Sequence, residues 1–180
     1  MKNSTDKQSS DSQTIAMLVF TVGKQDYGLP VTQVVRIIEM VTIVEIHGVS
    51  EVIQGVINLQ GQAVPVMDMR RRLGFASQSP GLHTPIILVD VPQKDAAGLP
   101  IEGTHLLGLI VDEVSQVIDI LSENIKQTTA QLPGELSQLM NRNAAYLDGI
   151  INVNRKMVIV LNLAALLSSA DYMAVVGSSR

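Results

Sequence analysis

Apolar positions along this chain come in short bursts, each closed by turn-forming residues. Residues 15–22 (IAMLVFTV) run into Gly23-Lys24-Gln25-Asp26, and a second burst follows at 27–31, which predicts a hairpin with a four-residue connection. Residues 34–46 are rich in Val and Ile. The spacing of Val31, Val34, Val35 and Ile38 also fits one helical face, and the β-branched enrichment predicts a short helical turn feeding a strand. Apolar pairs such as Val34-Val35 and Ile37-Ile38 put apolar side chains on both faces of that strand, leaving one face for a second unit or a partner. Ser50 reads as the N-cap of a single turn over 50–54.

Residues 57–59 and 63–67 flank Gln60-Gly61-Gln62, a hairpin tip at which Gly61 can take a positive φ. Pro65 donates no amide hydrogen, which predicts an edge or a bulge for its strand. Residues 68–73 read as one helical turn ended by Gly74, and the Ser/Pro/Gly-rich stretch 76–85 as a linker. Strands are then expected at 86–91, 106–111 and 114–121, with a loop over 92–104. A closing hairpin over 146–152 and 157–161 turns around Asn154-Arg155-Lys156, and a short terminal helix is expected over 164–174.

Two blocks of this pattern repeat. GVINLQGQAVPVMDMRRRL from Gly55 aligns without a gap to GIINVNRKMVIVLNLAALL from Gly149, an offset of 94, and six positions are identical. Upstream, the stretch from Gly28 to Glu39 echoes the stretch from Gly108 to Asp119 at an offset of 80. The second copy therefore carries 94 − 80 = 14 extra residues, which fall within 123–142. A duplication with many short strands predicts two small barrels. The expected division is a tail over 1–13, a first barrel over about 14–75, the linker over 76–85, a second barrel over about 86–162, and a C-terminal helix and frayed tail over 163–180. A barrel of that size buries little core alone, so the two should pack across an apolar seam.

Composition narrows the function. Aromatics are 3% of the chain, the formal net charge is −4, and there is no cysteine. Few aromatics and an acidic balance oppose a nucleic-acid-binding barrel, and thiolate chemistry is excluded. The polar, Ser-rich N-terminus has no apolar core of a signal peptide, and charges or turns interrupt every apolar run; the expectation is a cytoplasmic protein without direct membrane insertion. His47, His83 and His105 lack metal-ligand spacing, and no nucleophile elbow or phosphate-cradling loop occurs, which opposes a small enzyme with a cleft between the barrels. Asp112-Glu113 reads as a solvated turn. Arg70-Arg71-Arg72 reads as the solvated face of a helical turn, although the second copy has Ala164-Ala165-Leu166 there, so the fold itself does not need the charges.

Three strings, LVFTVGKQDYGLPVTQVVRIIE, VIQGVINLQGQAVPVMDMRRRLG and LLGLIVDEVSQVIDI, together resemble the CheW family of bacterial chemotaxis coupling proteins over residues 17–167. The resemblance implies an all-β fold of two tandem SH3-like five-stranded β-barrels, no catalytic activity and no cofactor. It implies a scaffold joining chemoreceptor cytoplasmic tips to the regulatory domain of a CheA-like histidine kinase. By motif position, receptor contacts fall on Val34, Arg36, Asn58, Leu59, Gln60, Gly61, Gly108, Val114 and Val117, and kinase contacts on Ile125 and Lys126. Two positions depart from the family pattern: Gln60 stands where an arginine is usual, and Arg36 where an acidic residue is common. An exposed pair contributes about 0–1 kcal/mol, so the departures bear on receptor choice and not on architecture. The same scaffold serving another kinase-controlled output, such as surface motility, is the alternative reading.

Overall fold

The computed structural model describes residues 13–94, 99–125, 138, 144–167 and 171. Among them are ten strands: β1 (Thr14–Val22), β2 (Gln25–Pro30), β3 (Val34–Glu39), β4 (Ile53–Leu59), β5 (Gln62–Asp68), β6 (Pro85–Lys94), β7 (Pro100–Ile110), β8 (Glu113–Leu121), β9 (Leu147–Val153) and β10 (Lys156–Leu161). Two one-turn helices, α1 (Met69–Arg72) and α2 (Leu163–Leu166), follow β5 and β10.

The strands form two mixed sheets, ordered β8-β1-β2-β10-β9 (sheet one) and β3-β6-β7-β5-β4 (sheet two). Moving every strand five places along the chain converts one order into the other. The registers agree residue by residue. The parallel pairing Val66↔Gly108 in sheet two is matched in sheet one by Val160↔Gly28, which the offsets of 94 and 80 require. The hairpin pairs Ile57↔Val64 and Asn58↔Ala63 recur as Ile151↔Val158 and Asn152↔Met157.

Alternate residues of each strand serve different cores, as the period-2 geometry dictates. On β1, Met17 and Val19 face a small core with Ile120, Ile151, Val158 and Val160, while Leu18 and Phe20 face a central core shared with Ile87, Val89 and Leu109 of sheet two. Sheet two has its own small core of Ile57, Val64, Val66, Ile86, Leu88 and Ile110. Ile120 and Ile151 come from the outermost strands of sheet one, so that sheet curls until both edges meet one core, and Ile38 and Ile57 show the same closure in sheet two. These are the two expected barrels, joined by the expected apolar seam.

Several expectations need correction. The barrels are not consecutive along the chain: sheet one takes β1 and β2 from the first copy and β8 to β10 from the second, and sheet two takes the remainder. The divisions 14–75 and 86–162 therefore mark repeat copies, each of which crosses from one sheet to the other. The β1–β2 connection is two residues, Gly23-Lys24, because Val22 pairs with Gln25. By contrast, the short helical turn expected to feed a strand is present, as the 3-10 turn Val31–Gln33 before β3. Ser50 closes a turn through its backbone oxygen, which accepts from Ile53 N–H at 2.9 Å, with no side-chain cap among the described residues. Pro65 lies in a central strand, tolerated because the ladder from β5 to β7 begins one residue later, at Val66. Much of the expected loop over 92–104 is hairpin, paired out to Lys94↔Pro100 past an irregularity between Pro92 and Lys94. The terminal helix is described as the single turn α2 and residue 171.

Candidate functional site

Four of the sequence-predicted contact residues, Val34, Arg36, Val114 and Val117, lie on the strands that follow the two chain crossovers between sheets. The first copy passes from β2 to β3 through the 3-10 turn Val31–Gln33, and the second passes from β7 to β8 at Val111 and Asp112. Val34 opens β3 and Val114 lies at the start of β8; the offset of 80 makes them counterparts. Both are half-buried against the central core, Val34 opposite Val89 and Val114 opposite Phe20. Further along the same strands, Ile37 is 43% exposed and its counterpart Val117 57%. Val35, at 50%, adds to the first patch. An irregularity in the pairing of β3 with β6 between Val34 and Arg36 lets this strand bury Val34 while turning Val35 and Ile37 outwards. Apolar side chains thus flank both crossovers on the solvent side, as the paired Val and Ile residues predicted.

The other residues expected at the receptor contact form a separate group. Asn58, Gln60 and Gly61 are exposed at the β4–β5 tip, and Leu59 packs on the small core of sheet two together with Ile38. Gln60 (φ 54°) and Gly61 (φ 89°) are both left-handed, so the two-residue turn is of the primed type that suits a twisted hairpin. Asn58 Oδ1 accepts from Gly61 N–H at 2.8 Å and fixes that turn. Arg36 is exposed and makes no salt bridge among the described residues. Gly108 differs from the rest. It is buried, and a Cβ there would lie 2.7 Å from Val66 Cγ1, so its part is close packing inside sheet two and not surface contact.

Of the two residues expected at the kinase contact, Ile125 packs against the small core of sheet one. Beside it a cleft of about 500 Å³ opens between β8 and β9, lined by Ile118, Ile120, Leu121, Asn124, Ile151 and Val153 among others. Lys126 lies outside the described residues.

Two expectations about charge are overturned. Each arginine of the basic run has a structural partner. Arg70 grips Asp112 through two hydrogen bonds, at 2.6 and 2.7 Å. Arg71 pairs with Asp68 at 3.3 Å and donates to Glu51 O at 3.0 Å. Arg72, its side chain 10% exposed, meets Asp171 at 3.3 Å and lies 4.4 Å from the Tyr146 ring centre. Asp112 is accordingly no solvated turn residue; it also accepts from Gly23 N–H at 2.7 Å. The signal for this was present in the repeat, where three arginines face Ala164-Ala165-Leu166.

The remaining chemistry is sparse. No group of three or more His, Asp or Glu among the described residues could hold a metal ion. A polar pocket of about 220 Å³ beside α1 is lined by Asp68, Arg70 and Asp112, whose charges are already paired with one another or with Arg71. No helix among the described residues is long and apolar enough to cross a membrane.

Known proteins share this arrangement. The chemotaxis protein CheW of Klebsiella aerogenes is 27% identical over 154 residues, 86% of this chain and 82% of the relative. The chemotaxis protein CheW of Bacillus subtilis is 36% identical over 110 residues, 61% of this chain and 64% of the relative. The crystal structure of the scaffolding protein TtCheW from Thermoanaerobacter tengcongensis superposes with a TM-score of 0.69 at 28% identity, covering 87% of this chain and 89% of that one. The model of the CheW-like domain matches residues 16–171, nearly the whole length over which the two sheets interlock. With ten strands in the duplicated order and apolar patches beside both crossovers, this chain belongs to the CheW-like domain family, the scaffolding proteins of chemotaxis.

Proposed function

We propose that this chain is a non-enzymatic cytoplasmic adaptor with two contact surfaces, one for chemoreceptor tips and one for the regulatory domain of a CheA-like histidine kinase. The observation that carries it is the family match over residues 16–171. The exposed apolar residues of β3 and β8 support a receptor surface along the crossovers, since a half-buried Val34 beside Val35 and Ile37 presents the desolvated centre that partner binding rewards. The β8–β9 cleft beside Ile125 supports a kinase surface elsewhere on the molecule. Arg36 stands exposed on β3 between Val35 and Ile37, and Gln60 at the separate β4–β5 tip; the positive charge at the first and its absence at the second bear on which receptor is bound.

An adaptor needs surfaces that break independently. Val34→Glu buries an unpaired charge if that patch is desolvated on binding, and should cost receptor-fragment affinity a few kcal/mol, on the order of 100-fold. Affinity for the kinase regulatory domain should remain near that of the unmutated chain. Lys126→Glu should do the reverse. Binding of each variant to both partners, with melting curves as a folding control, decides the matter. Folded variants that each lose both partners, or lose neither, would refute the two-surface adaptor.

A further inference from the structure

The duplication is symmetric in its sheets and asymmetric in its ion pairs. The helical turn after β5 carries Arg70, whose counterpart after β10 is Ala164. The turn needs no arginine: α2 forms on its Asn162 cap just as α1 forms on Asp68. Arg70 instead reaches the β7–β8 crossover. Its Nε donates to Asp112 Oδ1 at 2.6 Å and its Nη2 to Oδ2 at 2.7 Å, while Nη1 donates to Ala76 O at 3.2 Å. Asp112 is in turn fastened to sheet one twice, its Oδ2 accepting from Gly23 N–H at 2.7 Å and its own N–H donating to Thr21 O at 3.0 Å. One carboxylate therefore joins the end of β5 in sheet two, the crossover, and the β1–β2 turn in sheet one. The pair is forked and its side chains are only 21% and 27% exposed, so it holds a fixed geometry and is screened less than a surface pair.

Among the described residues the first copy has no such device. Thr32 stands at the place of Asp112, exposed, and that crossover closes through the backbone, with Val34 N–H donating to Val31 O.

We propose that Arg70 is a positioning residue: by gripping Asp112 it clamps the β7–β8 crossover to both sheets and so fixes how β8 presents Val114 and Val117, while the Val34 side of the surface is left unclamped. The functional half of this inference rests on the receptor surface proposed above; the clamp itself does not.

The test uses the full chain carrying Arg70→Met, which keeps an apolar stem, Arg70→Lys, which keeps the charge but not the fork, and the double variant Arg70→Met/Asp112→Asn. Amide hydrogen exchange is followed over 112–118 and over the counterpart 32–38, alongside affinity for a receptor-tip fragment and for the kinase regulatory domain. Both single variants should exchange at least about tenfold faster over 112–118 and unchanged over 32–38. Receptor-fragment affinity should fall about tenfold with kinase affinity within about twofold, and the double variant should be no worse than Arg70→Met alone. Unchanged exchange over 112–118 overturns the clamp. Equal acceleration of both segments, with equal loss of both partners, makes Arg70 a general stabiliser and also overturns it. If the unmutated chain binds no receptor fragment, the receptor reading fails, and exchange still decides the clamp by itself.

Discussion

At the scale of single residues, the repeat works as an internal control. Gly28 and Gly108 are counterparts on β2 and β7, both packed against the neighbouring parallel strand. A Cβ on Gly108 would meet Val66 Cγ1 at 2.7 Å and Ile86 Cγ2 at 2.9 Å, both on branched side chains held in a strand. A Cβ on Gly28 would meet the flexible Met17 Cε at 3.1 Å. Gly108→Ala should therefore destabilise by about 1–3 kcal/mol and Gly28→Ala by clearly less, read as the difference in denaturant midpoints. Tyr27 offers a second test. It is 1% exposed in the central core, stacked on Phe20 at 6.1 Å, and its hydroxyl has no hydrogen-bond partner among the described residues. Tyr27→Phe removes an orphaned polar atom and should stabilise by roughly 1 kcal/mol, seen as a higher melting temperature. Burial also pushes the Tyr27 phenol up in pKa. The fold therefore favours the neutral form; this contribution is complete below the unfolded phenol value of about 10 and declines as pH rises beyond it. Tyr27→Phe should lessen the alkaline loss of stability. Residue identity revealed the apolar core well, because burial follows hydrophobicity. The partners of Arg70 and Arg72 stayed hidden because Asp112 and Asp171 lie 42 and 99 positions away and only the fold brings them near.

At the scale of elements, local chemistry predicts turns and caps better than it predicts strand environment. Gly74 ends α1 as expected: it is left-handed at φ 79°, with Phe75 N–H donating to Arg70 O at 2.8 Å and Gly74 N–H to Arg71 O at 3.2 Å, the paired bonds of a Schellman motif. Asp68 and Asn162, the Asp/Asn pair of the repeat, cap equivalent turns by accepting backbone N–H groups three residues on, at Arg71 and Ala165. Pro65 shows the limit, since a donor-less residue suggests an edge when the sequence cannot say where the neighbouring ladder begins. The stretch 92–104 was similarly opaque: its prolines and glycines resemble a loop, yet Pro92 pairs with Thr104 because a sheet irregularity absorbs the misfit. Hairpin tips give the sharpest prediction at this scale. The β9–β10 tip repeats the two left-handed residues of the β4–β5 tip, with Asn154 at φ 50° and Arg155 at φ 65° in place of Gln60 and Gly61. Arginine pays a steric cost in that region which glycine avoids, so Arg155→Gly should stabilise the hairpin by roughly 1 kcal/mol. Gly61→Arg should destabilise its own tip by a similar amount. Melting of the two variants checks both signs, and a loss on Arg155→Gly would mean that the arginine side chain holds the tip through a contact of its own.

At the scale of the whole molecule, the duplication was visible in the sequence, but its exchange of strands was not. Repeat spacing reports which segments are alike; it carries no information on which copy a strand pairs with, because like registers satisfy the same apolar alternation. The pairings settle it: β1 pairs with β8 over eight residue pairs from Thr14↔Leu121 to Thr21↔Glu113, and β2 pairs in parallel with β10. Each barrel is therefore a joint product of both copies, and this makes a prediction that consecutive barrels would not share. Residues 1–80 hold β1 to β5 but lack every strand that completes sheet one around β1 and β2, and also lack β6 and β7, which separate β3 from β5 in sheet two. Expressed alone, this half should not fold as a monomer, and neither should residues 81–180. Mixed in equal amounts, the two should assemble and recover the secondary structure of the intact chain. The internal symmetry allows one further outcome for the first half. Two copies can exchange β1 and β2 as the natural halves do, so any order it gains should rise with concentration and accompany a dimer. Circular dichroism with sedimentation across a concentration series separates these cases, and a cooperatively melting monomer of either half would show that the barrels do not depend on the exchanged strands.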